Sequence, residues 1–380
     1  MTTNVDQLLD LIRIPSVSSI SNLAIVEHAE KFLHAKRWNT RRVTYSDSSG
    51  IEKINLIAAP PDQDVALRDV DMAFFCHTDT VPFSADWARA IDPFVKNENL
   101  HGCGACDVKG FLACLLAATD QIESQSFVDG LRIVLTADEE IGCIGAAHLI
   151  AANVIKPMRA VVGEPTSLHV ARAGKGYCLA KISVSGKEAH SALPDSGASA
   201  IYATARLVCS IEEFSKDLAK ERHNFFDPGF TTINIGTIRG GSAKNIIPGQ
   251  CEFLLEWRPI PGQSADRVLD EVNEIISRLK HEDPRFDYQI TTLRKQGGFE
   301  TPESASLVSA IVQFTGRPVT SISFGSEASL LASIVKEVVV IGPGDMRSAH
   351  SNREFVPTPE LDLTVRLLTK LMSRDLDGGV

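Results

Sequence analysis

Along the first part of the chain, hydrophobic residues occur in two patterns: at helical spacing in some segments and in short continuous runs in others. Apolar residues at helical spacing predict helices, and short apolar runs bounded by turn residues predict buried strands. The predicted helices are Val5–Arg13, Leu23–Ala35, Lys109–Ile122 and Ala146–Ala152, and the predicted strands are Arg42–Tyr45, Lys53–Ala58, a strand beginning near Ala73, Leu131–Ala137 and Ala160–Val162. Strands that alternate with helices indicate an α/β fold with a mainly parallel sheet and helices on both faces.

The pattern changes after about Gly174. The elements predicted next are a strand, a helix, two strands, a helix and a strand, at Cys178–Ser185, Ala198–Lys220, Thr231–Ile238, Cys251–Trp257, Ala265–Lys280 and Phe286–Thr292. This order is the ferredoxin-like split motif, which forms a small α+β domain. Helix and strand then resume at Ser306–Phe314, Lys336–Ile341 and Glu360–Ser373. We therefore expect a discontinuous α/β domain, residues 1–174 and 285–380, with an inserted lid domain at residues 175–284.

Composition excludes several classes of protein. The chain has 380 residues, which favours two domains, and 44% of them are hydrophobic, with no run long enough to span a membrane. A net charge of −10 argues against nucleic acids and anionic membranes as partners. The first residues lack the basic and apolar regions of a secretion signal. The eight cysteines lie mostly within apolar runs, as buried reduced cysteines do, so we expect a cytoplasmic protein.

The strand beginning near Ala73 ends at His77-Thr-Asp79, a polar triplet that suggests a functional site. The carboxyl ends of parallel strands form the edge of the sheet at which α/β proteins bind ligands. At such an edge His77 would be a metal ligand, and Asp79 would be the carboxylate that fixes its tautomer. On these residues alone, an ordinary polar strand end is the better explanation, and the further motifs along the chain decide for the metal site.

Two further acidic segments occur in a Gly-rich turn and after a strand. Asp107 lies in the turn His101–Gly110, whose glycines permit a tight backbone and whose spacing matches neither a dinucleotide-binding nor a P-loop fingerprint. A carboxylate in such a turn can bridge two cations with its two oxygens. Asp138-Glu139-Glu140 follows a predicted strand directly. Adjacent carboxylates at a buried strand end repel one another unless a cation or proton intervenes, so a metal would bind one and leave another as general base.

Glu164 and His350 complete the set of candidate metal ligands. Glu164 follows the strand ending at Val162, and His350 closes a Gly/Pro turn after the strand Lys336–Ile341. Together with the three segments above, they supply two histidines and three carboxylates. This donor set predicts a two-metal site with nitrogen and oxygen ligands, suited to two Zn²⁺ ions, with Co²⁺ or Mn²⁺ as substitutes.

Five motifs across essentially the whole chain resemble those of the dizinc aminoacylase, carboxypeptidase and acetylornithine deacetylase family. They are His77-Thr-Asp79-Thr-Val-Pro, Gly102-x-Gly-x-x-Asp107-x-Lys-Gly110, Asp138-Glu139-Glu140, Gly163-Glu164-Pro-Thr and Ala349-His350. The resemblance implies a dizinc exopeptidase-like fold with a lid that also mediates dimerisation.

The same resemblance implies a role for each residue of the predicted metal site. Asp107 would bridge both ions, His77 and Glu164 would complete one site, and Glu140 and His350 would complete the other. Glu139 would be the general base that takes a proton from a metal-activated water, and Asp79 would orient His77. The peptide bond Asp107–Val108 would be cis.

Four residues of the lid also resemble functional positions of the family. His190 resembles the histidine that family dimers donate across the interface into the partner's active site, and so implies a homodimer; without the resemblance it would be a lone surface histidine. Asn245 and Arg258 match positions for the substrate carboxylate, to which an arginine can form a bidentate fork. Arg258 could also simply end a strand in solvent. Lys175 is a weaker match that could be a hinge lysine.

The resemblance further implies the hydrolysis of an N-acyl amino acid, with N2-acetyl-L-ornithine of arginine biosynthesis as the expected substrate. The segment Phe324-Gly-Ser-Glu327-Ala resembles acetylornithine deacetylases, which makes Glu327 a candidate for the cationic side chain of ornithine, although it could also cap a helix. Arg347 and Arg353 would suit an acidic substrate better. Succinyl-diaminopimelate, acetylcitrulline and other acyl amino acids therefore stay open as alternatives.

Two functions of other classes fit the chain less well. A catalytically silent dimeric binding relative should lack Glu139 or one of the ligands, and none is missing. A dinucleotide-dependent oxidoreductase would need a Gly-x-Gly-x-x-Gly turn followed by an acidic residue, which the sequence lacks.

Overall fold

The computed structural model describes residues 3–123 and 126–374, which divide into two compact units. The first unit comprises Met1–Arg172, Glu300–Thr320 and Ser326–Val380, and the second comprises Ala173–Phe299 and Ser321–Gly325. The helices are α1 (Asn4–Ile12), α2 (Leu23–Ala35), α3 (Lys109–Asp120), α4 (Ile144–Ala151), α5 (Ala200–Leu218), α6 (Arg267–Glu282), α7 (Ser306–Thr315), α8 (Ala328–Leu331) and α9 (Thr358–Met372).

The two main sheets contain the longer strands, and the small sheets have strands of only two or three residues. In chain order the strands are β1 (Asn39–Ser46), β2 (Glu52–Ala59), β3 (Asp69–His77), β4 (Phe94–Lys96), β5 (Asn99–His101), β6 (Leu131–Thr136), β7 (Lys156–Val162), β8 (Ala171–Gly174), β9 (Tyr177–Ser185), β10 (Ala189–His190), β11 (Thr232–Gly240), β12 (Ile246–Ile247), β13 (Gln250–Arg258), β14 (Asp287–Gln296), β15 (Phe299–Glu300), β16 (Thr320–Ile322), β17 (Glu337–Val340) and β18 (Phe355–Pro357).

The first unit is built on a sheet in the order β1-β2-β6-β3-β7-β17, which continues from Val340 to Ala171 of β8. Strands β6, β3, β7 and β17 are parallel to one another, whereas β1 and β2 form an antiparallel edge beside β6, and β8 pairs antiparallel with β17. All of β6 and nearly all of β3 are buried, because parallel strands are covered on both faces. The prediction of a mainly parallel sheet is confirmed.

Helices cover both faces of this sheet. Neighbouring residues of a strand point to opposite faces, so Phe74 and Phe75 of β3 enter different layers. Phe74 belongs to the core formed with α1, α3 and α9, where α3 is buried almost all round. On the opposite face α4 packs against β2, and α8 against β7 and β17.

The second unit is the predicted β-α-β-β-α-β motif. Its antiparallel sheet has the order β11-β13-β9-β14, and α5 and α6 bury their apolar sides with this sheet in a separate core. Strand β14 pairs with β9 along its whole length, beginning at Asp287 opposite Ser185. Because this fourth strand completes the sheet, the compact unit extends to Phe299, past the boundary expected at residue 284.

A small three-stranded sheet, in the order β18-β5-β4, lies beside the turn that carries Asp107 and was not predicted. Each of its strands has only three residues, too few for a periodic pattern to show. Phe355 pairs with His101 and thereby brings the loop after His350 to the Gly-rich turn. In the part of the chain that the structure describes, no helix is both long enough and apolar enough to cross a membrane.

Candidate dimetal active site

The candidate ligands converge because four neighbouring parallel strands end at one edge of the first unit. His77 is the last residue of β3 and lies opposite Thr136, the last residue of β6. The acidic triplet follows β6, Glu164 follows β7 and the turn leading to His350 follows β17. Gly342 allows two of these loops to touch, since a Cβ atom there would lie 2.6 Å from the carbonyl oxygen of Glu164.

Asp107 lies at the centre of the cluster and presents each carboxylate oxygen to a different histidine. Its Oδ1 is 3.2 Å from Nε2 of His77, and its Oδ2 is 3.1 Å from Nε2 of His350. The same nitrogen of His350 is 3.1 Å from Oε2 of Glu140. This is the arrangement expected of a carboxylate that bridges two cations. The peptide bond Asp107–Val108 is cis, as the resemblance implied.

Two groups of side chains in the cluster could each hold a metal ion. One candidate ligand atom from each of His77, Glu139 and Glu164 lies within 4.8 Å of the others, and the same holds for His77, Asp107 and Glu140. The structure thus brings all five predicted ligands and the predicted base to one place.

Asp79 contacts His77 and the acidic loop and thereby supports the cluster. Nδ1 of His77 donates to the backbone carbonyl of Asp79 at 3.0 Å, and the nearer carboxylate oxygen is 3.6 Å away, so Nε2 is left for the cluster. The carboxylate of Asp79 accepts the backbone N–H groups of Glu139 at 3.0 Å and Glu140 at 3.2 Å, and the hydroxyl of Ser18 at 2.7 Å. Asp79 therefore holds the histidine and the acidic loop in one arrangement.

Asp138, the first acid of the triplet, is separated from this chemistry. Its carboxylate accepts the ammonium of Lys53 at 2.9 Å and the hydroxyl of Tyr45 at 2.8 Å. Lys53 and Asp138 are both almost fully buried, so the pair neutralises two charges inside the unit. Only Glu139 and Glu140 of the triplet reach the cluster.

The electrostatics of the cluster fit bound cations. Burial raises the pKa of Glu139 to about 8 and raises the pKa of Glu164 well above its ordinary value, with the neighbouring carboxylates adding to both shifts. Hydrogen bonds to Asp107 and Glu140 raise the pKa of His350 to about 10. Buried carboxylates that repel one another need a proton or a cation, and histidine and carboxylate are ligands that divalent metals accept. The residues present therefore fit a metal pair.

Two supporting residues were not predicted from the sequence. Cys143 donates its thiol to Oε1 of Glu139 at 3.0 Å, and Glu354 accepts backbone N–H groups from the turn of Asp107. The sequence marks these two residues only by their closeness to candidate site residues: Cys143 follows Glu139 by four positions, and Glu354 follows His350 by four. Neither spacing is specific enough to carry a prediction.

Glu327 is a buried carboxylate on the sheet face that carries α8. Its side chain is 1% exposed, and within residues 3–123 and 126–374 neither carboxylate oxygen has a hydrogen-bond partner of normal geometry. Burial raises its pKa to about 7, and the nearby hydroxyl of Thr136 offsets only part of that shift. Glu327 directly precedes α8 but makes no capping hydrogen bond with its side chain, so the structure does not support the alternative role of helix cap.

The second unit brings two of its predicted residues together. Exposed His190 of β10 pairs with Ile246 of β12, which directly follows Asn245. Nδ1 of His190 accepts the backbone N–H of Ala192 at 3.1 Å, which leaves Nε2 pointing away from this turn.

The other two predicted residues of this unit already have partners. Arg258 donates to Glu256 at 2.9 Å and to the carbonyl of Ser323 at 2.8 Å, so it does not simply end a strand in solvent. Lys175 is buried and donates to the carbonyl of Phe230 at 2.8 Å, which gives it a structural partner within the unit.

Comparisons with known proteins agree with this geometry. The family model of a peptidase dimerisation domain matches residues 172–284, and that of peptidase family M28 matches residues 55–164. Acetylornithine deacetylase of Myxococcus xanthus is 40% identical over 98% of this chain and 97% of its own length. Acetylornithine deacetylase of Proteus mirabilis is 30% identical over 98% of this chain and 96% of its own.

Solved structures of peptidases share the fold. A tripeptidase from Staphylococcus aureus has a TM-score of 0.76 at 20% identity, covering 98% of both chains. A dinuclear metal-binding peptidase of the M20 family from Bacillus subtilis has a TM-score of 0.69 at 12% identity, also covering 98% of both chains. With its dimerisation-domain match and its full-length similarity to acetylornithine deacetylases, the chain belongs to the M20 metallopeptidase family and is a metal-dependent hydrolase.

Proposed function

We propose that the chain hydrolyses N2-acetyl-L-ornithine to L-ornithine and acetate, a step of arginine biosynthesis. The observation that carries the reaction type is the placement of Asp107 between His77 and His350, with one carboxylate oxygen toward each. The full-length similarity to acetylornithine deacetylases supports the substrate.

Two Zn²⁺ ions fit the ligand set, and Co²⁺ or Mn²⁺ could replace them. Asp107 would contact both ions, His77 and Glu164 would complete one site, and Glu140 and His350 would complete the other. When bound, such ions polarise an amide carbonyl and lower the pKa of a water molecule. Asp79 keeps the proton of His77 on Nδ1, away from the ion.

Glu139 is the general base in this proposal. Its carboxylate removes a proton from the attacking water and delivers it to the nitrogen of the leaving amine, as the carbon–nitrogen bond breaks and acetate forms. The thiol of Cys143 donates a hydrogen bond to Oε1 of Glu139, which leaves Oε2 to accept the proton from water. The raised pKa of Glu139, caused first by burial, brings its basicity closer to that needed near neutral pH.

The lid completes the site across a homodimer. The match to a peptidase dimerisation domain supports a dimer, and the exposed His190 is free to serve a second subunit through Nε2. There it would donate a hydrogen bond to the oxygen that becomes negative in the tetrahedral intermediate. Asn245 and Arg258 would bind the α-carboxylate of the substrate. We propose a cytoplasmic location, since the eight cysteines, all within the described residues, form no disulfide.

Glu327 would recognise the δ-ammonium group of ornithine. A buried carboxylate that has no hydrogen bond of normal geometry among the described residues is costly, and a cationic ligand would relieve that cost. One arginine that suggested an acidic substrate is already paired, since Arg347 donates to Asp345 and its side chain is 90% exposed.

Initial rates of the zinc-loaded enzyme on a matched panel test the proposal. The panel contains N-acetyl-ornithine, N-acetyl-citrulline, N-acetyl-methionine, N-acetyl-glutamate and N-succinyl-diaminopimelate. We expect the highest kcat/KM with N-acetyl-ornithine. A preference for any other member would overturn the substrate assignment but retain the amidohydrolase reaction, and no hydrolysis of any member would contradict both.

A further inference from the structure

A single buried carboxylate holds the backbone of the turn that carries Asp107. Oε1 of Glu354 accepts the N–H groups of Cys106 at 3.0 Å and Asp107 at 3.1 Å, and Oε2 accepts the N–H of Gly104 at 3.0 Å. The residue is only 2% exposed. Three converging backbone N–H dipoles therefore take the place of water around this carboxylate.

Glu354 also belongs to the loop that presents His350. Its backbone carbonyl accepts the N–H of Gly102 at 3.3 Å, and the next residue, Phe355, pairs with His101. The loop after β17 and the Gly-rich turn are far apart in sequence, and this set of contacts joins them directly. The two segments joined in this way carry the two residues whose side chains meet at 3.1 Å, Asp107 and His350.

We propose that Glu354 is a positioning residue for the metal pair, which sets where the Asp107 carboxylate stands relative to His350. The inference rests on the proposed dimetal function. It adds that the bridge depends on a carboxylate that contacts neither ion and acts through the backbone of the turn. Removing its carboxylate would leave three buried backbone N–H groups without their acceptor and would let the turn shift. Residues that support metal ligands in this way change metal affinity when they are altered.

Metal binding by the variants Glu354→Gln and Glu354→Ala tests the proposal. Glutamine retains one acceptor oxygen but turns an N–H donor toward the backbone N–H groups, and alanine removes all three acceptor contacts. Metal-free protein is titrated with Co²⁺, bound ions are counted by elemental analysis after dialysis, and spin coupling between the two ions is followed by electron paramagnetic resonance. We expect affinity for at least one ion to fall about 10- to 100-fold and the coupling to weaken, with alanine the more severe.

Glu360→Gln is the matched control. Glu360 also accepts a backbone N–H of the loop after β17, that of Gly344 at 2.8 Å, but within the described part of the chain it has no hydrogen bond to the turn of Asp107. We expect this variant to bind two ions with wild-type affinity and coupling. Circular dichroism and thermal unfolding of the metal-free proteins separate a local effect from loss of the fold.

Each result decides for or against the positioning role. Two ions bound with wild-type affinity and coupling in both Glu354 variants would overturn it. Failure of both variants to fold would also overturn it, since Glu354 would then support the whole unit rather than the metal pair. A wild-type enzyme that binds two coupled ions yet ignores N-acetyl-ornithine would refute the proposed substrate and leave the role of Glu354 standing.

Discussion

The thiol of Cys143 lies 3.0 Å from Oε1 of Glu139, the residue proposed as general base. The backbone N–H of Cys143 also donates to the carbonyl of Glu139 at 2.9 Å, so two hydrogen bonds join the ends of the turn from Glu139 to Cys143. Cys143 adopts a φ of 56°, in the left-handed region, which directs its side chain back toward the acidic loop. The base is therefore oriented by a residue four positions away on its own loop.

Replacing this thiol should slow the reaction without removing the metal. A hydrogen bond of this kind contributes about 0.5–1.5 kcal/mol, so Cys143→Ala should lower kcat about 2- to 10-fold with little change in KM. Cys143→Ser retains a donor and should stay near the wild-type rate. Steady-state kinetics of the three proteins at equal metal content provide the measurement, and an unchanged kcat in the alanine variant would refute the orienting role.

Removing the base itself should have a far larger effect. Glu139→Gln keeps the size of the side chain but cannot take a proton, and kcat should fall about 10²- to 10⁴-fold. Metal content by elemental analysis serves as the control and should stay at the wild-type value. A rate near that of the wild type would exclude Glu139 as the base.

Metal binding to the metal-free protein should release protons. His350 has a pKa of about 10 because Asp107 and Glu140 accept its hydrogen bonds, so it is protonated at pH 7 and must lose that proton to bind an ion. Calorimetric titration in buffers with different ionisation enthalpies measures the number released. His350→Ala should release fewer protons, and an equal number in the two proteins would contradict the assignment.

The same raised pKa makes the stability of the metal-free protein depend on pH. Because the pKa of His350 in the fold lies above its ordinary value of 6.5, protonation stabilises the fold fully below about pH 6.5. This contribution is lost as pH rises toward 10. The difference in urea-unfolding free energy between wild type and His350→Ala should therefore shrink from pH 6 to pH 9, and a difference that grows would refute it.

The charge of Glu327 should select between two substrates of similar shape. N-acetyl-ornithine carries an ammonium group where N-acetyl-citrulline carries a neutral ureido group. A hydrogen bond to a charged partner contributes about 1.5–3 kcal/mol, so Glu327→Gln should lower kcat/KM for N-acetyl-ornithine about 10- to 100-fold. The value for N-acetyl-citrulline should change little. Equal losses on the two substrates would assign Glu327 a structural role.

Mixing two inactive variants tests the exchange of His190 between subunits. In a mixed dimer of His190→Ala and Glu139→Gln, the subunit with an intact base would receive the intact His190 of its partner. Random exchange at equal amounts should restore about a quarter of the wild-type activity, because half of the dimers are mixed and each has one complete site. No recovery after subunit exchange, verified by mass spectrometry, would place His190 outside the partner's site.

The sequence predicted the parts of the site that depend on strand ends. His77 ends an apolar strand, and Glu139 and Glu164 follow two others. The burial of these strands is evident from their composition, so the shared edge could be inferred. Helix α2 likewise has the predicted bounds, because its amphipathic pattern is local. The pairing of these residues with particular ions came from family resemblance and not from the pattern.

The features that could not be predicted from the sequence, the role of Glu354 and the small three-stranded sheet, depend on contacts between loops that are distant in the chain. Glu354 gains its role from a turn about 250 positions earlier in the chain, and no local periodicity records such a contact. Strands β4, β5 and β18 exist because they pair with one another, since each is too short to show a pattern. Strand β14 was predicted as the last strand of the split motif, but the expected bound at residue 284 falls before this strand, whereas the compact unit extends to Phe299.

The points at which the chain leaves and re-enters the first unit are held together by the first unit itself. Arg172 donates to the carboxylate of Glu300 at 2.8 Å, and the N–H of Thr301 donates to the carbonyl of Arg172 at 2.7 Å. The insertion therefore begins and ends at a junction that is already closed, and lengthening a segment between closed ends adds little entropic cost. The inserted module can accordingly vary in length while the junction that closes the first unit stays the same.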